Sequence, residues 1–445
     1  MEKVVYIAHC IDTEGPLKET IRATFERLKE MFGIELSPTY ETLKKLQDQS
    51  IDLNGIEKDV AKVVSNKLLT YNDTWAPLDE MLDELLSKKF RNKLLDSFGN
   101  GWIYNWHCMD HVGFSENPRH RDLGFHNIFD HYMEILERTS SSQDGVHFHH
   151  HPIPFTKEAH HPATHFFSHS PIIFEIIARK IIERKWFPSV NRPGFHSTRP
   201  DSHWFLEQFI PFDIANQKTN EDYSNFKDLA DGRFGDWRRA PDSWEPYHPS
   251  HDDYQKKGDC RRWIARSLNL GTRARLLKES DVEQAFKEAE LGQPVLLSFN
   301  HHDFRDMRPD VIKVQDMINK ISKKFPDVKF SFCEARDGMR KALGLEEKSP
   351  ISFEIKMDNN KLQVFTNKPT FGPQPFLAIK TKEGRFFHDN FDFQKPFHEW
   401  SYVFDNITFP LNAIESVGIG SCDSVGNVTV VTINPQTGDF SQLQF

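Results

Sequence analysis

The feature of this sequence that most constrains its fold is a repeated alternation of short apolar runs with longer amphipathic stretches. Six runs rich in β-branched and aromatic residues read as buried strands, namely Val4–Ile7, Trp102–Cys108, Val146–His149, Phe212–Ala215, Val295–Phe299 and Val328–Phe332. The segments between them show helical spacing, for example Asp281–Leu291 and Pro309–Phe325. Such alternation is typical of a parallel sheet, open or closed into a barrel.

The pattern changes twice along the chain. From Gly15 to about Asn100 it is helical throughout, with no strand candidate. After about residue 348 only short strand candidates remain, separated by turn signals such as Asn359-Asn360 and Thr437-Gly438. We therefore predict an α/β domain over residues 1–347 and an all-β, sandwich-like domain over residues 348–445.

Composition excludes several classes of protein. The 445 residues carry a net charge of −9, whereas nucleic-acid binding requires a basic excess. No run of 18 apolar residues exists, so we expect no membrane span. The first apolar run is short and is followed at once by Asp12 and Glu14, which is unlike a secretory signal and predicts a cytoplasmic protein. Five cysteines without a CxxC pair favour neither disulfides nor a zinc ribbon.

Histidines are concentrated in one part of the chain. Of 22 histidines, 13 lie between His107 and His169. The densest stretch follows a strand candidate and reads Gly-Val-His147-Phe-His149-His150-His151-Pro. Neutral imidazoles are good ligands for zinc and similar metals. In an extended strand His147 and His151 would lie about 13 Å apart, so this pair could bind one ion only if the chain turned into a helical loop.

Three further strand candidates also run into reactive side chains. His9-Cys-Ile-Asp12-Thr-Glu14-Gly-Pro offers one carboxylate as a metal ligand and one as a general base, although it would equally suit a turn with a helix cap. Asn-Arg192-Pro-Gly-Phe-His offers a guanidinium that can hold a carboxylate ionised. Val295 to Asp303 ends in Asn-His301-His302-Asp, where an imidazole could act as a general acid.

The order of these motifs resembles that of the NodB-homology polysaccharide deacetylases, carbohydrate esterase family 4. The Asp-Thr-Glu-Gly-Pro motif and the long helical segment look like the WbmS-like branch, which occurs among bacterial O-antigen biosynthesis genes. The resemblance covers about residues 1–345 without a helical insertion at about 15–100. It implies a distorted (β/α) barrel and a divalent metal, with zinc as the expected ion.

The resemblance also implies roles for individual residues. Asp12 would be the catalytic base, Arg192 would orient it, and His302 would be the general acid, with His301 as the alternative. Glu14, His147 and His151 would hold the metal. Because Glu14 and the Phe-His-His sequence depart from the family pattern, His149 or His150 could replace one of these ligands. Asp110 and His111, at the end of the second strand candidate, are predicted to contact substrate.

The resulting prediction is metal-dependent removal of an N-acetyl group from a sugar or glycan precursor, in bacterial surface-polysaccharide (O-antigen) biosynthesis. Two alternatives remain open at this point. The chain could be a catalytically inactive glycan-binding or scaffold protein that keeps the fold, or a metal-dependent hydrolase of another bond. The sequence leaves the sugar, its carrier and the oligomeric state undetermined.

Overall fold

In the computed structural model, which describes residues 2–159, 172–220, 234–346 and 349–445, seven parallel strands close into a barrel. Strand β1 pairs with both β2 and β7, and this double pairing completes the ring. The predicted parallel sheet is thus confirmed, in its closed form. The strands are β1 (Val4–Thr13), β2 (Tyr104–Met109), β3 (Gly145–His150), β4 (Val190–Pro193), β5 (Phe212–Asn216), β6 (Trp263–Asn269) and β7 (Leu296–His302).

An eighth strand, β8 (Lys329–Phe332), makes the barrel irregular at its amino-terminal end. The first half of β1, Val4–Ile7, pairs with β8, and only the second half, from His9 onward, pairs with β2. The chain that leaves β8 therefore lies between β1 and β2 at the base of the barrel. It carries Glu334 toward the barrel interior.

The helical segment that follows β1 has two parts. Its first four helices enclose a small core of their own around Leu28, Val60 and Val64. The next helix instead adds Leu78, Met81 and Leu82 to the main core outside the barrel. The six helices are α1 (Ile21–Phe32), α2 (Tyr40–Gln47), α3 (Glu57–Val63), α4 (Asn66–Leu69), α5 (Trp75–Leu86) and α6 (Lys88–Arg91).

Six more helices in the described part of the chain surround the barrel, and their apolar faces pack against its strands. Two of them agree closely with the predicted ranges 281–291 and 309–325. They are α7 (Asn127–Arg138), α8 (Ile172–Arg184), α9 (Pro200–Phe209), α10 (Glu279–Glu290), α11 (Arg308–Ser322) and α12 (Ala335–Ala342). Within the described ranges, no helix is long and apolar enough to cross a membrane.

The sequence patterns missed strand β6 and indicated β4 only as a strand end at Arg192, without an apolar run. Both contain polar residues that point into the barrel, Arg192 in β4 and Ser267 and Asn269 in β6. An apolar run is the usual sign of a buried parallel strand, and these polar residues interrupt it. The polar residues of the barrel interior thus weakened the sequence pattern of both strands.

The chain after α12 forms two antiparallel sheets that share one apolar core. The five-stranded sheet also packs on α8, where Gly418 and Gly420 leave room for Ile181 and Phe187. This part matches the predicted all-β region, and the boundary predicted at 347–348 lies outside the described residues. The strands are β9 (Phe353–Asp358), β10 (Lys361–Thr366), β11 (Phe376–Thr381), β12 (Phe386–Asp389), β13 (Asp392–Lys395), β14 (Glu399–Val403), β15 (Ile414–Cys422), β16 (Val428–Ile433) and β17 (Phe440–Gln444).

Candidate metal and catalytic site

The strand-end motifs meet at the carboxyl end of the barrel. Asp12 of β1 lies beside His302 of β7 in the strand register, and His149 of β3 lies beside Arg192 of β4. Side chains alternate between the two faces of a strand, so these four positions all face the barrel interior. The predicted Asp12, Arg192 and His302 are therefore brought together, as expected for the mouth of a parallel barrel.

Glu14, His149 and His151 form a group that could hold a metal ion. Their ligand atoms all lie within 4.8 Å of one another, and all three residues are buried. The two imidazole Nε2 atoms are 2.9 Å apart, and His151 Nε2 lies 3.6 Å from Glu14 Oε1. Ligands of a tetrahedral zinc ion at 2.0–2.1 Å lie roughly 3.3 Å from one another. The donor set and its spacing therefore fit a His₂–carboxylate zinc site.

His149 is also held in the correct form for a ligand. Its Nδ1 lies 2.6 Å from the carbonyl oxygen of Arg192 and donates a hydrogen bond to it. That hydrogen bond leaves the lone pair on Nε2, facing His151 and Glu14. Burial lowers the pKa of His149 to about 4, and the imidazole is therefore neutral at neutral pH.

Glu14 is fixed by neighbours that sequence reasoning missed. Its Oε2 pairs with Arg121 Nη2 at 2.6 Å, and its backbone N–H donates to Asp303 Oδ1 at 3.0 Å. Asp303 also accepts from Gly15 N–H and from the hydroxyl of Tyr132. Burial raises the pKa of Asp303 to about 7. Asp303 follows His302 directly in the sequence, whereas no pattern in the sequence indicated Arg121.

Asp12 and Arg192 form a buried ion pair at the centre of the site. The guanidinium contacts both carboxylate oxygens, with Nη2 at 3.0 Å from Oδ2. Burial alone would raise the pKa of Asp12, but the charge and hydrogen bond of Arg192, together with the nearby His149 and His302, lower this pKa below its usual value. Asp12 is therefore a carboxylate at neutral pH, as a general base must be.

His302 faces both carboxylates of the first motif. Its Nε2 lies 3.5 Å from Asp12 Oδ2 and 4.0 Å from Glu14 Oε1. Burial lowers the pKa of His302 to about 3. The alternative His301 points out of the barrel, where Nε2 contacts Asp310 at 3.2 Å, so the structure brings His302 and not His301 to Asp12.

The structure does not bring His147 together with Glu14 and His151. Strand β3 stays extended through His150, so the helical loop that this pair required does not form. His147 lies deeper in the barrel, with Nε2 2.9 Å from Glu334 Oε1 and 3.2 Å from Asn105 Oδ1. His149 takes the place predicted for His147 because residues two apart in a strand share a face. His150, the other alternative, points to the opposite face and stacks on Phe148.

Asp110 and His111 lie beside the site but do not line its cavity. Asp110 pairs with buried Lys180 at 2.8 Å and accepts from the backbone of His126. His111 Nε2 lies 2.9 Å from the carbonyl oxygen of Glu14. Their contacts support the loops around Glu14, His149 and His151, and neither side chain reaches the cavity.

A cleft partly open to solvent lies above Asp12, Glu14 and His302, and about 1330 Å³ of space lies between its lining atoms when the solvent at its opening is included. Asp12, Glu14, His151 and His302 line it from the barrel. The helical insertion forms another wall, through side chains of α1, α3 and α4 that include Met31, Val63 and Leu68. The reactive groups are therefore accessible to a small organic molecule that the insertion would contact.

Comparisons of the chain with protein-family models, with curated proteins and with solved structures yield no significant match.

Proposed function

We propose that this protein is a metal-dependent hydrolase that removes an N-acetyl group from a sugar or glycan precursor. The observation that carries the proposal is the placement of the Glu14, His149 and His151 group against the Asp12–Arg192 pair and His302, at one cavity. The motif order resembling the NodB-homology deacetylases supports the same reaction, as does the barrel architecture.

The proposed metal ligands are Glu14, His149 and His151, with zinc as the expected ion. A bound zinc ion would polarise the amide carbonyl and lower the pKa of a coordinated water. Three protein ligands leave positions for water and substrate, as in other catalytic zinc sites. This assignment replaces His147 of the sequence-based prediction by His149.

The remaining steps belong to side chains of the chain itself. Asp12, kept ionised and oriented by Arg192, accepts the proton of the attacking water. The Nε2 atom of His302 lies 3.5 Å from Asp12 Oδ2. A small movement of either side chain would let Asp12 pass this proton to His302. His302 can then protonate the leaving amine as the C–N bond breaks, and acetate and the free amino sugar are the products.

Metal analysis of strand β3 variants tests the ligand assignment. We expect about one zinc ion per chain in the wild type, and its loss in His149→Ala and in His151→Ala. His147→Ala is the matched control, since it removes an imidazole from the same face of the same strand and should keep the metal. Loss of metal in His147→Ala with retention in His149→Ala would contradict the assignment.

Acetate release from a panel of N-acetyl sugars tests the reaction. The zinc-loaded wild type should release acetate, and Asp12→Asn should not. The hydrolase proposal would be overturned if the protein bound one zinc ion per chain but released acetate from no sugar. Binding of an N-acetyl sugar by both the wild type and Asp12→Asn would then favour the non-catalytic glycan-binding protein.

A further inference from the structure

We propose that the cleft above the metal group contains a subsite for an anionic group of the substrate, so that the preferred sugar carries a phosphate or a carboxylate. This inference rests on the proposed function, since it names the substrate class of the same site. It starts from the guanidinium groups of the cleft. Among the described residues, five arginines line it, namely Arg27, Arg119, Arg273, Arg275 and Arg305, together with the carboxylates of Asp12, Glu14 and Glu30.

Two of those carboxylates already have cationic partners behind the cavity wall. Asp12 is paired with Arg192 and Glu14 with Arg121, and neither of these arginines lines the cleft. The arginines of the lining are therefore not needed to neutralise the catalytic carboxylates. Guanidinium groups in a cleft with low-dielectric walls raise the local concentration of anionic ligands.

Arg305 is the best placed of the five. It follows His302 by three residues, and both side chains line the cleft. Its guanidinium lies over the rings of Tyr71 and Phe304, with centroid distances of 5.1 and 4.9 Å, and its Nε donates to the carbonyl oxygen of Leu68. Among the described residues, its two terminal nitrogens donate no hydrogen bond. The aromatic and backbone contacts hold the side chain in place, and its Nη1 and Nη2 atoms are available to bind a ligand.

Arg27 and Arg119 form a second cationic part of the lining. Both contact Glu19, at 2.9 and 3.4 Å, and Arg119 also contacts the partly exposed Glu158. Glu19 is nearly inaccessible and positions the two guanidiniums from behind. Arg27 extends from α1, so the helical insertion contributes directly to this subsite.

The chemistry of guanidinium groups indicates the kind of anion. Their planar donors bind phosphate and carboxylate groups through paired hydrogen bonds. An N-acetyl sugar bearing either group could place its amide at the metal group and its anion beside Arg305. A neutral sugar would leave these arginines without a function in recognition.

The test measures anion binding separately from turnover. Inorganic phosphate, glucuronate and neutral glucose are titrated by calorimetry into the full chain and into His151→Ala, which lacks a metal ligand. We expect phosphate or glucuronate, but not glucose, to bind both proteins, and the stronger of the two identifies the anion. Arg305→Ala and Arg27→Ala should each weaken this binding by about 10-fold or more.

Matched arginines provide the controls. Arg308→Ala removes an arginine three residues beyond Arg305, and Arg22→Ala removes an exposed arginine of α1; neither lines the cleft, and both variants should bind the anion as the wild type does. Arg305→Lys should retain part of the affinity, because the charge remains without the planar donor pair. Absence of anion binding, or binding unchanged in Arg305→Ala and Arg27→Ala, would overturn the inference.

Turnover then distinguishes failure of the subsite from failure of the proposed function. Equal rates of acetate release from N-acetylglucosamine and N-acetylglucosamine 1-phosphate, with no anion affinity, would overturn the subsite and keep the hydrolase. Arginine-dependent anion binding without acetate release from any N-acetyl sugar would keep the subsite and overturn the hydrolase.

Discussion

His147 and His149 lie on the same face of one strand, two residues apart, and their environments differ. At the mouth, the Nε2 atom of His149 faces His151 and Glu14 beside the open cleft. At the base, the Nε2 atom of His147 contacts Glu334 and Asn105. Residue type and strand face are the same for both histidines, so neither property decides which imidazole is available to a ligand.

The difference between mouth and base comes from how each end of the barrel is closed. At the base, the chain after β8 brings in Glu334, which caps α12 with hydrogen bonds to the backbone of Arg336 and Asp337 and also pairs with His147. At the base, Glu334 and Asn105 both contact His147, so the Nε2 atom of His147 is not free to bind a ligand. At the mouth, several donor atoms converge on one point beside a cavity, an arrangement typical of a binding site.

The largest effect should follow from removing the proposed general base at the mouth. Asp12→Asn is expected to lower the rate of acetate release by about 10³-fold, because the amide cannot accept the proton of water. The measurement is kcat on the best N-acetyl sugar of the panel. Asp310→Asn, which removes the carboxylate beside His301 outside the barrel, should leave kcat close to the wild-type value; a comparable loss there would contradict the separation of His302 from His301.

Breaking the pair at the base should mainly cost stability. Glu334→Ala removes the partner of buried His147 and the cap of α12, and we expect the free energy of unfolding to fall by about 3 kcal/mol. Urea unfolding measures this change. Zinc content of the folded variant should remain that of the wild type, and loss of zinc would show that base and mouth are coupled.

Two glycines allow a matched perturbation of mouth and base. A Cβ at Gly194 would lie 2.1 Å from His151 Cδ2, whereas a Cβ at Gly145 would lie 2.3 Å from His147 Nε2. Gly194→Ala should therefore displace His151 and weaken zinc affinity by about 10- to 100-fold. Gly145→Ala should instead destabilise the fold by about 2 kcal/mol with little change in zinc affinity. Competition with a chelating dye measures the zinc affinity, and urea unfolding measures the free energy of unfolding. A loss of zinc affinity in Gly145→Ala but not in Gly194→Ala would refute the division between mouth and base.

The smallest effect concerns acid stability at the base. Burial would raise the pKa of Glu334, but the hydrogen bond and charge of His147 lower it to about 2, below its ordinary value of 4.5. The ionised form is therefore favoured in the folded state, and its stabilisation is present above about pH 4.5 and is lost as the pH falls toward 2. The stability difference between wild type and Glu334→Gln should shrink over this interval in urea unfolding. A difference that is constant with pH would argue against an ionised Glu334.

The parallel barrel and most of its strands could be predicted from the alternation of strand and helix patterns, because parallel strands that are buried on both faces appear in the sequence as apolar runs. Strands β4 and β6, which no apolar run marked, carry Arg192, Ser267 and Asn269 on the interior face. Asp12, Glu14 and His302 were found because they directly follow apolar runs, and strand ends of a parallel barrel meet at its mouth. Arg121 was missed because it comes from a loop between β2 and α7, with no periodic pattern to mark it.

Apolar runs in the sequence mark the strand ends, and the two-residue period of the pleat indicates which side chains of a strand share a face. On this basis His147 and His149 share a face of β3, and Asp12 lies near the end of β1. How deep each side chain lies in the barrel depends on contacts between distant parts of the chain. The extended backbone of β3 separates His147 from His151, and the chain after β8 brings Glu334 to the base of the barrel. The helical insertion forms one side of the cleft at the mouth. Contacts between residues hundreds of positions apart thus decided which histidines are structural and which can hold a metal.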